Sequence, residues 1–520
     1  MNEIGFLVCK GPIVFVVVQA ILLFPTPFIG WFPIQNSQMD IMKKLNKWLV
    51  VVAMLMTTTT VKAQDVSPLA FMRLNPYQTN LNVATDLPYT CYFSPGIGNF
   101  GVNMQYSSLG IIDLFKSKFS LMNLLDLLED DNYFAINASH NLNTLGIRAG
   151  NGTISYNHNF RVIGYTSFNY CLFKLMALGN KEFLGEDNPA TVRFDWDTQM
   201  FHEYALGYQL NVTDWLSIGA RAKLLFGIAD LSTDAFEMML YTDPDDNTVY
   251  FKEDVTMRFS LPRKFQLEDG SMTANGPFGL SDFYHNPGFG IDLGISARIN
   301  ERFAVTAAVN DIGHIRWKQN NMRLTGRLSE DGAYYEEDAL AFDGIDAEHL
   351  KRFFKDKEYR NAVMDTLSDC FDFQTNHWEP YNTKLPTSFL VRGSFDLTEN
   401  HRFITQFQGC FRSDGFRPAF TMAYNGCFLG KFDISGTCTM MRGSLLNLGA
   451  GIGFKFGAFQ MYVATSNFLN LKVGGQKSRN YQAGIVFTIG PKDKDMPDDD
   501  DDDDDDDDGD DDDEEEEDDD

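Results

Sequence analysis

Gly288-Phe289-Gly290-Ile291-Asp292-Leu293-Gly294-Ile295-Ser296-Ala297-Arg298-Ile299 reads with period two from end to end. Phe289, Ile291, Leu293, Ile295, Ala297 and Ile299 fall on one side, and Gly288, Gly290, Asp292, Gly294, Ser296 and Arg298 on the other. Successive side chains of an extended chain point to opposite faces, so one face here is apolar throughout and the other small or polar. Strands of soluble sheets average about 5–6 residues. An apolar face this long suits a tilted strand crossing a bilayer, which takes about 9–11 residues.

The pattern recurs. Leu446, Leu448, Ala450, Ile452, Phe454 and Phe456 oppose Asn447, Gly449, Gly451, Gly453 and Lys455. Phe403, Thr405, Phe407 and Phe411 oppose Arg402, Gln406, Gln408 and Arg412. Tyr481, Ala483, Ile485, Phe487 and Ile489 oppose Gln482, Gly484 and Thr488. The connections alternate in phase with the strands. One set is tight: Gly457-Ala458, Leu429-Gly430-Lys431, residues 398–401, Asn300-Glu301 and residues 211–214. The other set runs from short to very long, the longest being residues 229–285 and 313–386. Short periplasmic turns and longer external loops are the habit of outer-membrane barrels. The expectation is therefore an all-β chain: an antiparallel transmembrane β-barrel of about 14 strands (12–16 allowed, the number even) with long extracellular loops carrying short helices.

Composition agrees. A mean hydropathy of −0.23 would suit a soluble protein, but only alternate residues of a membrane strand face lipid. Glycine (42), phenylalanine (45) and tyrosine (20) are abundant, as closely packed strands and interfacial girdles require. The competing reading is a soluble periplasmic β protein, which detergent-free release would establish.

The first third is less regular. Residues 100–106 and 153–160 alternate, but Phe119–Glu129 reads as a helix, either a plug element or a short periplasmic helix packed on the barrel. Residues 347–371 also read as a helix, inside the longest external loop.

Four regions divide the chain. Residues 42–63 form a secretory signal: a basic Met42-Lys43-Lys44, an apolar Trp48–Met56 and a small-residue end at Ala63, with cleavage expected before Gln64. Residues 1–41 are read as a non-translated or extra N-terminal extension. The barrel, with an N-terminal plug segment, is expected over 64–490. Residues 491–520 are an acidic tail: positions 498–520 hold 22 acids broken only by Gly509, leaving about −7 of the −29 net charge for the rest. With no apolar residue from 498 onward the tail is read as disordered, periplasmic, and at most a loose binder of divalent cations.

Seven cysteines (Cys9, Cys91, Cys171, Cys370, Cys410, Cys427 and Cys438) show no metal or redox spacing. The eight histidines are scattered, with no His-Glu-x-x-His and no Gly-x-Ser-x-Gly. No catalytic residue, metal ligand, cofactor or nucleic-acid interface is expected, and the protein is not read as an enzyme. The strand phase points Arg221, Lys223, Asp292, Arg298, Arg392, Arg402, Gln406, Arg412 and Lys455 toward the lumen. They would either set selectivity for solutes or form a salt-bridged interior that closes a narrow barrel.

Several segments resemble a family of uncharacterised outer-membrane barrels of Bacteroidota that carry a domain of unknown function. They are Gly288–Gly294, Val309–Trp317, His202–Tyr208, Gly219–Gly227, Leu385-Pro386 after Tyr381, and Asn75-Pro76. The resemblance covers most of residues 70–490 and implies fold and outer-membrane location in a Gram-negative cell. More distantly the chain looks like the fatty-acid-transporter class of barrels, whose N-terminus often carries Asn-Pro-Ala. Here Tyr77 follows Asn75-Pro76.

Two functions are carried forward. One is transport of a small hydrophobic or amphipathic molecule. The other is a closed structural or assembly barrel that docks an outer-membrane, surface or periplasmic protein partner. Outer-membrane lipid is the expected surround of both.

Overall fold

The computed structural model describes residues 67–96, 98–107, 125–178, 182–242, 249–262, 265–268, 271–274, 284–326, 356, 373–377, 379–412, 415–441, 444–468 and 477–490. The signal, the N-terminal extension, the acidic tail, residues 119–124 of the helix expected at 119–129 and all but Asp356 of the one expected at 347–371 lie outside them; within 125–129 a helical residue at Leu125 gives way to a turn.

A buried segment comes first, with a 3-10 turn at Pro68–Phe71 and one helical turn, α1 (Gln78–Leu81). Strands β1 (Cys91–Pro95) and β2 (Phe100–Tyr106) follow. Then come β3 (Asp131–Ala149), β4 (Gly152–Asn169), α2 (Tyr170–Leu178), β5 (Ala190–Thr213) and β6 (Leu216–Thr242). Beyond β6 lie β7 (Val249–Ser260) and a small hairpin, β8 (Phe265–Glu268) with β9 (Ser271–Ala274). Next are β10 (Asn286–Arg298), β11 (Phe303–Trp317), β12 (Asn321–Gly326), β13 (Phe373–His377) and β14 (Tyr381–Lys384). The chain ends with β15 (Ser388–Thr398), β16 (His401–Arg412), β17 (Gly415–Phe428), β18 (Phe432–Met441), β19 (Ser444–Phe456), β20 (Phe459–Thr465) and β21 (Lys477–Ile489).

Antiparallel pairing closes these into a barrel. β1 and β2 form one interrupted strand, each pairing with β21 on one side and β3 on the other. From β3 the ring runs through β4, β5, β6, β10, β11, β15, β16, β17, β18, β19 and β20 to β21. Counting β1 with β2 as one gives 14 strands, the expected even number. Among the described residues, closure leaves no unpaired edge of the barrel to face lipid.

The outward face is apolar. Phe289, Leu293 and Ile295 are exposed while Asp292 is buried. Phe403, Phe407 and Phe411 are exposed while Gln406 is buried; Ile452 and Phe456 are exposed while Asn447 is buried. A soluble protein would invert this, so the wall is a lipid-facing surface. The tight connections all fall at one end. There Gly150-Asn151 also makes a two-residue turn, with Gly150 at φ +60° as a primed hairpin turn requires.

The long connections differ from expectation. β6 does not stop near Ala229 but runs to Thr242, paired with β5 on one side and β7 on the other. β12 pairs with β7, and β13 with β12. Hydrogen bonding to a neighbour on each side satisfies the backbone beyond the barrel, so the wall around β5 and β6 extends as sheet. Between residues 313 and 386 the regular elements among the described residues are strands; the described helix of an outer connection is α2, between β4 and β5.

Candidate functional site

The N-terminal segment occupies the inside of the barrel. Leu69, Ala70, Phe71 and Met72 are essentially fully buried. Ala70 and Phe71 pack with Ile404, Ala419, Ala423 and Met441 of β16 to β18. Leu69 and Met72 join Leu87, Tyr89 and Tyr92 against Tyr462, Ala464 and Val486 of β20 and β21. Polar bonds tie the same segment around the ring. The Leu74 amide donates to Asp433 at 3.3 Å, the Asn310 amide group donates to the Leu81 carbonyl at 2.9 Å, and Arg221 donates to the Thr79 carbonyl at 2.7 Å. Gln482 donates to the Tyr77 hydroxyl at 3.3 Å. Burial pushes the Tyr77 phenol up, against the Gln482 bond and the Arg161 charge, which keeps it a neutral hydroxyl.

Glycine makes the fit possible on β6 and β10. A Cβ on Gly219 would stand 2.6 Å from the Val83 carbonyl carbon and 2.7 Å from the Ala84 nitrogen. One on Gly294 would stand 1.9 Å from Asn82 Oδ1. The residues after α1 therefore lie backbone-close against a bare stretch of wall.

Beyond this contact lies an ionic cluster drawn from β4, β5, β6, β10 and β11. Lys223 Nζ is 2.7 Å from Asp311, 2.8 Å from Asp292 and 3.5 Å from Glu203. Arg161 meets Asp311 through both terminal nitrogens, at 2.9 and 3.0 Å, and Glu203 at 2.8 Å. Arg221 faces Asp292 at 3.5 Å. Three cations meet three carboxylates, so the cluster is neutral as a set, which is how charges tolerate burial. A bulge builds it. Register shifts between Ile291 and Leu293, Asp311 takes φ +60°, and its amide donates to Asp292 at 2.8 Å. A non-glycine residue held in the left-handed region is strained, and such strain gathers at functional sites.

The nine residues singled out by strand phase separate into groups. Arg221, Lys223 and Asp292 come together in the cluster. Arg392 donates to Gln406 at 2.8 Å and lies over the Phe71 ring of the N-terminal segment. Arg402 pairs with Asp396. Arg412 reaches the Gly164 carbonyl of β4 at 3.4 Å, although β16 and β4 stand on opposite sides of the ring. Lys455 lies 5.7 Å from the Tyr89 ring. Arg298 joins none of these; it is exposed at the short-turn end, where its amide donates to the Trp215 carbonyl. Sequence reasoning missed Arg161, Glu203 and Asp311. Arg161 and Glu203 were findable as single charges within alternating strands.

Farther toward the long connections the inner wall turns apolar. Ile163, Phe201, Leu225, Ile315, Trp317 and Leu385 form one buried group. Between the N-terminal segment and the wall lie two cavities of about 20 Å³ each, one beside Met72 and Asp433, the other beside Tyr77, Asn99 and Asn157. Among the described residues no disulfide forms; Cys91, Cys171, Cys410, Cys427 and Cys438 are free.

Among solved structures the chain is similar to the toluene transporter TodX of Pseudomonas putida, with 8% identity over 82% of this chain and 98% of that one, at a TM-score of 0.40. It is similar to a FadL homologue of Pseudomonas aeruginosa, with 9% identity over 83% and 100% and a TM-score of 0.40. For the toluene transporter TbuX of Ralstonia pickettii the values are 8%, 83%, 96% and 0.37. No curated protein matches the sequence. Residues 84–466 match the model of a family of unknown function, DUF5723, and the chain belongs to that family.

Proposed function

We propose that the barrel stands in the bacterial outer membrane and passes a small hydrophobic or amphipathic molecule, with residues 67–90 as the plug that must shift. The apolar inner wall of Ile163, Phe201, Leu225, Ile315 and Trp317 carries this reading. A water-filled pore keeps its interior polar, whereas these side chains pack into a buried apolar group inside the ring. The plug is held by packing and hydrogen bonds, which can exchange. Arg392 and Arg412 would meet the polar end of an amphipathic cargo. In this orientation the acidic tail leaves β21 on the periplasmic side.

A closed barrel that docks a protein partner is the second reading, favoured by the small size of the cavities between plug and wall. Proteoliposomes separate the two. The test protein carries cysteines at Ser67 and Gln482, whose side chains touch, in a background with the native cysteines replaced. Wild-type protein should admit an apolar fluorescent probe faster than empty vesicles. A short bis-thiol bridge between the two positions should stop entry. Entry no faster than in empty vesicles, with a stoichiometric partner retained through purification, would select the closed barrel.

A further inference from the structure

Four oxygen-bearing side chains meet where β5 and β6 pass above the apolar inner wall. Asp197 stands directly opposite Ser232, and Gln199 directly opposite Asp230. Opposed residues of an antiparallel pair hold their Cβ atoms about 4.5–5.5 Å apart, and residues two apart share a face. The four therefore form one patch. Asp230, Gln199 and Ser232 are 1%, 7% and 9% exposed. Each has a buried oxygen without a hydrogen-bond partner: Asp230 Oδ1, Gln199 Oε1 and Ser232 Oγ. The other Asp230 oxygen accepts from the Tyr381 hydroxyl at 2.7 Å. Arg258 stands opposite Ser232 on β7; one terminal nitrogen bonds to Asp234 at 2.7 Å, the guanidinium lies over the Tyr381 ring, and its buried Nε has no hydrogen-bond partner, so three carboxylates, Asp197, Asp230 and Asp234, share this one cation.

An unpaired buried polar group costs about 1–3 kcal/mol, and a charged one more. Three acceptor oxygens in one patch beside a second carboxylate call for positive charge. We infer that Asp197, Gln199, Asp230 and Ser232 bind a divalent cation, Ca²⁺. Two carboxylates, an amide oxygen and a hydroxyl are a hard donor set without the nitrogen or sulfur that zinc and copper favour. Ca²⁺ takes 6–8 oxygens at about 2.3–2.6 Å in flexible geometry, with water completing the shell, whereas Mg²⁺ demands a near-ideal octahedron. Side chains from two adjacent strands supply the former more readily. Among the described residues no group of three or more His, Cys, Asp and Glu is placed to hold a metal; this site is half neutral donors. Its ligands come from two strands, so no local spacing in the sequence marks it.

Terbium luminescence tests the site on the full-length protein in detergent. Tb³⁺ occupies oxygen sites and emits when a nearby tyrosine or tryptophan absorbs; Tyr381 touches Asp230, and Trp196 adjoins Asp197. The acidic tail at 498–520 has no aromatic residue, so ions held there stay dark. Wild-type protein should emit, and Ca²⁺ should displace the Tb³⁺ at about 10⁻⁴–10⁻³ M, as in extracellular Ca²⁺ modules. Asp230→Asn and Asp197→Asn should weaken Tb³⁺ binding by about tenfold or more, while Asp214→Asn, exposed on the tight turn between β5 and β6 at the other end of the barrel, should not. Folding is read from the heat-dependent gel mobility of the barrel. Should Asp230→Asn fail to fold, Gln199→Leu and Ser232→Ala, which keep both charges, should still weaken binding. A dark wild-type protein, or affinity unchanged in the folded ligand variants, overturns the assignment.

Discussion

Arg221 of β6 donates a hydrogen bond to the Thr79 carbonyl at 2.7 Å while facing Asp292 at 3.5 Å. One buried side chain thus joins the N-terminal segment to the ionic cluster of the wall. Arg221→Ala should cost about 3–5 kcal/mol, the usual effect of breaking a buried ion pair, and should expose residues 67–90. Urea unfolding in lipid vesicles gives the first quantity and limited proteolysis the second. A variant as stable and as protected as the wild type would show that the contact holds nothing.

Gly219 tests the plug separately from the charges. Alanine there drives a methyl into the backbone of Val83 and Ala84, which cannot swing aside as a side chain would. Gly219→Ala should speed amide exchange at residues 79–84 and raise leak through planar bilayers. Gly436→Ala, where a methyl meets nothing within 4 Å, should behave as wild type. Equal exchange in both variants would contradict close docking.

Lys223 has three carboxylates around it. Lys223→Met leaves Asp311, Asp292 and Glu203 with less cationic charge than they need, and should destabilise by about 3–5 kcal/mol. Adding Asp311→Asn should return part of that loss, because contacting residues couple by about 0.5–3 kcal/mol. Strictly additive losses in the double-mutant cycle would mean that the two do not interact.

The lipid face makes a fourth prediction. Leu224 is 59% exposed on the outward side of β6, next to buried Lys223 and Leu225. An exposed leucine on a soluble protein accepts arginine at almost no cost. On a lipid-facing strand Leu224→Arg should cost about 2–4 kcal/mol near the bilayer midplane, less toward its surfaces. Refolding into vesicles measures this, and a neutral result would place the residue outside the membrane.

Wherever alternation was regular, the sequence was legible. Phe289, Leu293 and Ile295 face out and Asp292 faces in because a strand has no other way to arrange them. Asp311 was not legible for a specific reason. Asn310 and Asp311 are both buried although adjacent, since the bulge shifts the phase by one residue between Ala308 and Ile315. Arg298 shares the phase of Asp292 yet is exposed, because phase says which face a residue takes and nothing of its height along the barrel.

By itself, then, the sequence determined the antiparallel barrel and bounded its strands to an even number between 12 and 16. Side-chain alternation and turn length are local properties of an extended chain. Only the tertiary structure decided that Arg161 meets Asp311 across 150 residues, that β6 leaves β10 for β7 after Gly227, and that the segment after Ser67 fills the ring. Those depend on strand register around a closed ring and on what packs inside it. No short window of sequence encodes either, because both are fixed by contacts between residues far apart in the chain.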